Sequence, residues 1–223
     1  MAARVPFRLY LITGSKVIKS GTLIDACAAA LSTASEWAPP GAVAIQLREK
    51  AMSARELYEV ACALRGLCTR AGAMLLINDR IDVALASDAD GVHLPASSFA
   101  VHDARELLGS NRLVGVSTHR AEEVADAERD GADFAVFGPV FDPISKGAYG
   151  PAGGLEGLKA ACVSSALPVF ALGGINDQRA GLIMASLGAW PAGVAAIGAI
   201  FGADDPAAAT RAMLSAMGLA RSR

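Results

Sequence analysis

The 223-residue sequence predicts an α/β protein built as a single closed (β/α)8 barrel of the TIM type. Three observations predict it. Short β-branched runs alternate with longer helical stretches eight times, at roughly 28 residues a unit, the rhythm of strand–helix repeats. The stretch after the first strand reads "LITGSKVI" and lacks the GxGxxG turn that an open, doubly wound dinucleotide-binding sheet carries. No linker or low-complexity stretch divides the chain, so residues 1–223 are expected to form one domain.

The elements follow in order. "FRLYLIT" (7–13) is the first strand and "AVAIQLR" (42–48) the second. "SARELYEVACALRGLCTRAG" then has helical apolar spacing and ends at Gly72, where a left-handed cap is expected. "AMLLIN" (73–78) is the third strand; "NDRIDVALA" starts a helix, with Asn78 or Asp79 as candidate caps. "GVHL" (91–94) is the fourth, stopped by Pro95, with Ser97 or Ser98 as the candidate cap of "FAVHDARELL". "LVGVS" (113–117) is the fifth. In "RAEEVADAERDG", Val124 and Ala127 can face the core while Glu122, Glu123, Glu128 and Arg129 stay wet, and Gly131 closes the helix. "FAVF" (134–137), "PVFAL" (168–172) and "GVAAIG" (193–198) complete the strands. Gly188 is expected to follow the seventh helix, and "DPAAATRAMLSAMG" is the closing one.

Apolar residues make up 53% and charged residues 19%, which suits a large buried core and excludes a disordered chain. The net charge of -2, with Lys and Arg dispersed, excludes a nucleic-acid stripe. Cys27, Cys62, Cys68 and Cys162 form no CxxC pair, so zinc is not expected; all four fall in helices and read as small buried hydrophobes. "MAARVPFRLYLIT" has no cleavable signal pattern and no run reaches membrane-spanning length, so a cytoplasmic setting is expected.

A barrel places its chemistry at the C-terminal ends of its strands. Gln46, Arg48 and Lys50, two apart, share the inner face, while Ile45 and Leu47 point to the helices. Such side chains are costly there unless something polar or anionic meets them; internal pairing of Arg48 with a carboxylate is the structural alternative. Asn78 and Asp79 end the third strand at the same rim. Ser117 and His119 end the fifth, which places His119 for proton transfer. His93, inside a strand, reads as a hydrogen-bonded barrel residue, and His102 as a surface one. The long sixth connection, "GPVFDPISKGAYGPAGG", carries Ser145 and Lys146 where they could close over an anionic substrate. Gly173, Gly174 and Gly198 let backbone N–H groups approach a ligand at the seventh and eighth strands, where barrels often bind phosphate.

Together, "QLREK", "INDRIDVALASDADGVHL", "GVSTH", "FGPVF" with a Lys following, and "ALGGIN" resemble the thiamine phosphate synthase and thiazole tautomerase family, in order, from about residue 8 to 215. The synthase branch implies coupling of a hydroxymethylpyrimidine diphosphate to a thiazole phosphate, with diphosphate released through a carbocation-like transition state. Carried over by position, Gln46, Arg48, Lys50 and Asn78 would hold the pyrimidine diphosphate and Asp79 would bind magnesium. Ser117, Ser145 and Lys146 would contact substrate phosphates; Gly174, Ile197 and Gly198 would take the thiazole phosphate, with Gly173 also a candidate substrate-binding position. Lys50, His119 and Lys146 are the candidate catalytic side chains. The implied partners are small phosphorylated pyrimidines and thiazoles, with neither nucleic acid nor membrane; self-association through helix faces stays open.

One stretch departs from the synthase pattern. Where a second magnesium-binding Asp follows "GVHL" in a "GQxD"-like run, this chain reads Pro95, Ala96, Ser97 and Ser98, and a hydroxyl is a poor magnesium ligand. "LPASSF" instead resembles the tautomerase branch, which aromatises a thiazole phosphate carboxylate without magnesium, with a histidine matching His119 as acid and base. The sixth loop also departs, with "DPIS" where the synthase has a Thr-x-Thr arrangement. The retained Lys50, Asn78, Asp79 and Lys146 favour the synthase. The tautomerase and a non-catalytic barrel binding thiazole or thiamine phosphates are the alternatives.

Overall fold

The computed structural model describes residues 5–142, 152–186 and 191–221. Strands β1 (Leu9–Ile12), β2 (Val43–Leu47), β3 (Met74–Asn78), β4 (Gly91–Leu94), β5 (Leu113–Thr118), β6 (Phe134–Phe137), β7 (Val169–Ala171) and β8 (Gly193–Ala196) pair in chain order into a closed barrel. Leu9 pairs with Val43 on one side and with Val194 on the other, both in parallel, which closes the ring. All eight expected strands are present. The first and last are shorter than the sequence suggests: Ile197 leaves the ladder and precedes α8 (Gly198–Phe201), a short helix that strand periodicity did not foresee.

The other helices are α1 (Leu23–Trp37), α2 (Ala54–Ala71), α3 (Ile81–Ala86), α4 (Val101–Leu108), α5 (Ala121–Arg129), α6 (Gly154–Val163), α7 (Asp177–Ser186) and α9 (Pro206–Ala216). Capping boxes start α1, from Thr22 and Asp25, and α2, from Ser53 and Glu56; each satisfies two backbone donors that a helix start leaves open. Gly72 ends α2 at φ 64 and Gly131 follows α5 at φ 89, the left-handed geometry expected of both. Gly188 lies outside the described residues. Two expected caps are not formed. The residue before α3 is Arg80 and the one before α4 is Ala100, neither with a side-chain cap bond, because Asp79 and Ser98 bond to each other instead.

Alternation along the strands separates two cores. Outward residues such as Leu11, Ile45, Ile77, Val92, Val116 and Val194 pack under the helices. Inward residues Tyr10, Leu76, Leu113, Phe134 and Phe170, with Phe7, fill the barrel itself. Phe7 stacks on Phe170 at 4.9 Å between centroids and meets Phe134 edge-on at 5.3 Å, so aromatic rings seal the lower half. Gly115 makes room for them: a Cβ there would lie 2.1 Å from the Phe134 ring. Val124 and Ala127 are buried, as their spacing predicts. Three cysteines are buried, and burial pushes the Cys27 and Cys68 thiols up to about 12. Cys62 is exposed, against expectation, because it sits one residue off the buried stripe of Leu57, Ala61, Leu64 and Cys68.

Candidate active site

Above the aromatic seal, the strands send Ile12, Gln46, Asn78, His93, Ser117, Val136 and Ala195 into one cavity of about 760 Å³, joined by Leu172 just after β7. The register puts Ile12 level with Gln46, Asn78 with His93 and Ser117 with Val136, so one layer of inward positions forms the floor. Arg48, Lys50, His119, Gly173, Gly174, Ile197 and Gly198 line the walls and mouth. The structure therefore gathers residues from opposite halves of the chain that sequence reasoning took one strand end at a time. Ser145 and Lys146 lie outside the described residues.

The polar groups of the floor, Gln46, Asn78, His93 and Ser117, carry no formal charge. Gln46 is buried, and its Nε2 donates to the Tyr10 hydroxyl at 3.0 Å. His93 Nε2 and Ser117 Oγ are 2.9 Å apart, whereas the buried His93 Nδ1 has no partner among the described residues. Burial above all, with the nearby Arg48 charge added, lowers the His93 pKa to about 3, so its ring is neutral. The expectation of a fully bonded barrel histidine is corrected: one buried ring nitrogen has no hydrogen-bond partner among the described residues. A buried polar atom without a partner costs stability and invites a ligand group. The available sequence signal was register, since His93 sits one residue short of its strand end, level with Asn78.

The mouth is cationic. Arg48 and Lys50 form no ion pair with any carboxylate among the described residues, so internal pairing of Arg48 is not found. Arg48 is instead fixed through its backbone, its N–H donating to the buried Thr13 Oγ1 at 2.8 Å. Lys50 follows in an exposed turn. Two cations without an ion-pair partner among the described residues, beside an apolar-walled cavity, give the mouth a positive field that would attract an anion.

Asp79 stands beside this cavity rather than in its lining. Its backbone is left-handed, at φ 67, and its N–H donates to the His93 carbonyl at 2.9 Å. The Ser98 hydroxyl donates to Asp79 Oδ1, and Ser98 N–H donates to the Pro95 carbonyl at 2.9 Å. Among the described residues no group of three or more His, Cys, Asp or Glu could hold a metal ion. One carboxylate fits magnesium only where the ligand brings the remaining oxygens, a mode this ion accepts because it retains several waters.

His119 is exposed at the mouth, with Nδ1 2.5 Å from the Gly138 carbonyl and its N–H donating to Glu123 at 2.7 Å. A carbonyl only accepts, so Nδ1 carries a proton, which leaves Nε2 as the nitrogen that can exchange one. Gly173 and Gly174 have φ 104 and 59, and a Cβ on Gly173 would lie 2.6 Å from Pro139 Cα. Only glycine brings the backbone this close to the sixth loop. Arg179, unremarked in the sequence, braces the same turn: it donates to the Gly174 carbonyl at 2.6 Å and covers the Phe141 ring at 4.6 Å.

Comparison with known proteins gives these positions a context. A family model described as thiamine monophosphate synthase matches residues 9–200. A protein of Geobacter sulfurreducens is 46% identical over 213 residues, covering 96% of this chain and 95% of that one. The thiamine-phosphate synthase of Moorella thermoacetica is 44% identical over 184 residues, covering 82% and 86%. The solved structure of thiamine phosphate pyrophosphorylase from Pyrococcus furiosus superimposes with a TM-score of 0.82 at 34% identity, covering 96% of this chain and 97% of that one.

Proposed function

This chain belongs to the thiamine monophosphate synthase family, and from that premise we propose that its cavity joins a hydroxymethylpyrimidine diphosphate to a thiazole phosphate, giving thiamine phosphate and diphosphate. It is a transferase of thiamine biosynthesis. The bond from the pyrimidine methylene carbon to the diphosphate oxygen breaks, and diphosphate departs with the electron pair. The thiazole ring nitrogen supplies the pair for the new C–N bond. Positive charge gathers on the methylene and negative charge on the leaving group, so catalysis needs positioning and fixed cations.

The observation that carries this reading is Arg48 and Lys50 at the cavity mouth, without an ion-pair partner among the described residues. They are placed to receive the diphosphate, with Asn78 beside them. Gly173, Gly174, Ile197 and Gly198 offer backbone at the seventh and eighth strand ends for the phosphate of the second substrate. The neutral floor of Gln46, His93 and Ser117 suits an uncharged heteroaromatic ring. Ser145 and Lys146 retain their assignment as phosphate contacts from their place on the sixth loop.

Asp79 would hold magnesium together with oxygens of the substrate diphosphate. When bound, the ion would neutralise charge on the departing group. His119 holds a free Nε2, but coupling as written moves no proton at the reacting carbon, so its contribution is secondary. A cytoplasmic setting goes with this reading, supported by four free thiols; no described helix is long and apolar enough to cross a membrane.

The test supplies both reactions to the purified protein. One assay contains the pyrimidine diphosphate, the thiazole phosphate and magnesium; the other contains the thiazole carboxylate tautomer alone. Magnesium-dependent thiamine phosphate is the expected product. Aromatisation without coupling would overturn the proposal.

A further inference from the structure

The run Arg48–Glu49–Lys50 poses an electrostatic problem at the mouth. A carboxylate lies one residue from each of the two cations that the functional reading assigns to diphosphate. Folded back, it would neutralise them and repel the anion. It is held elsewhere. Glu49 accepts the Ser15 N–H at 3.0 Å on Oε1 and 3.2 Å on Oε2, and the Ser15 hydroxyl donates to Oε2 at 2.7 Å. Ser15 is the first residue of the short 3-10 turn Ser15–Val17, whose Val17 lines the cavity.

This contact is the last rung of a ladder that outlasts the strands. The Thr13 N–H donates to the Gln46 carbonyl at 2.9 Å, and the Arg48 N–H donates to Thr13 Oγ1 at 2.8 Å. Beyond the strand ends, side-chain oxygens thus stand in for backbone acceptors, Thr13 Oγ1 from the segment after β1 and the Glu49 carboxylate from the segment after β2. Arg48 is fixed by its backbone, and the next residue is turned onto Ser15.

We propose that Ser15 is a positioning residue that keeps the diphosphate site cationic by binding the Glu49 carboxylate away from Arg48 and Lys50. The inference rests on the functional reading above. The hydrogen bonds to Ser15 are charge-assisted, and they compete with the attraction of Glu49 for its neighbours. Ser15 therefore acts through Glu49 and need not touch substrate.

Calorimetric titration with inorganic diphosphate at fixed magnesium tests it in four forms: wild type, Ser15→Ala, Glu49→Gln and Ser15→Ala/Glu49→Gln. Ser15→Ala should weaken binding about fivefold, the worth of one net hydrogen bond. The double variant should return to within about twofold of wild type, because the side chain at 49, loosened by loss of the hydroxyl and held by the backbone N–H alone, is no longer charged. Glu49→Gln alone should bind as tightly as wild type or tighter. In steady state, Ser15→Ala should raise KM for the pyrimidine diphosphate while kcat and KM for the thiazole phosphate hold. A double variant as weak as Ser15→Ala, or a Glu49→Gln that weakens binding, would mean that the contact merely braces a loop, and would overturn the inference. If the wild type bound no diphosphate at all, the functional reading would fall first, and this inference with it.

Discussion

The hydroxyl of Ser98 donates to Oδ1 of Asp79, tying the turn after β4 to the end of β3. The position where the resemblance expects a second acidic magnesium ligand is thus occupied by a hydrogen-bond donor to the first. A hydroxyl there satisfies one Asp79 oxygen in the absence of any ion, at the cost of one anionic ligand.

Replacing that hydroxyl should change how the site handles cations. In Ser98→Asp, two carboxylates face each other, so magnesium at half-saturation for coupling should fall about tenfold. Manganese binding followed by electron paramagnetic resonance, without substrate, should tighten in parallel. A metal response identical to wild type would refute the placement of Ser98 beside a metal site.

Lys50→Ala removes a cation from the mouth without touching the floor. Coupling should drop about 100-fold, as on loss of one preorganised charge contact. Binding of the thiazole phosphate, measured separately, should be spared. Undiminished turnover would remove Lys50 from the diphosphate site.

His119→Ala should lower coupling less than about tenfold, since general acid–base assistance typically gives more than that only where a proton moves in the rate-limiting step. A loss comparable to that in Lys50→Ala would show proton transfer at the centre of the reaction.

His93 predicts a pH dependence of stability. Its folded pKa of about 3 lies below its ordinary 6.5. The unfolded chain therefore binds the proton first as pH falls. The contribution is fully present above pH 6.5 and is lost progressively down to about pH 3. The slope is at most about 1.4 kcal/mol per pH unit. Urea midpoints of wild type and His93→Asn, compared across that window, should converge as pH falls. A constant gap would show that His93 titrates normally in the fold.

Gly115→Ala should destabilise the barrel by about 1–3 kcal/mol, the range for overpacking a filled core. The added Cβ has no room beside Phe134, which is itself fully buried and stands 5.9 Å, centroid to centroid, from the His93 ring. Chemical denaturation measures the cost. A variant as stable as wild type would mean that the aromatic layer can yield.

Much of this arrangement is legible from alternation alone. The two-residue period sends Ile45 and Leu47 outward, and Gln46, Arg48 and Lys50 to the cavity, as found. The repeat of eight units carries closure. What escapes are choices made between distant segments. Asp79 and Ser98 each have local capping chemistry, yet they bond to each other across 19 residues, and no local rule ranks those options. That His93 Nδ1 finds no partner among the described residues depends on which neighbours reach it, which is a property of the assembled floor. Cys62 is different: its exposure follows from the helical stripe that buries Ala61, and the spacing to read it was present.

The rings of Phe7, Tyr10, Phe134 and Phe170 make the barrel a cul-de-sac. Two substrates must arrive and two products must depart through the doorway at the opposite end. Whatever sits nearer that doorway governs the traffic of whatever lies behind it. An excess of the outer reactant would then bar the inner one, so turnover should show order and self-obstruction rather than indifferent exchange.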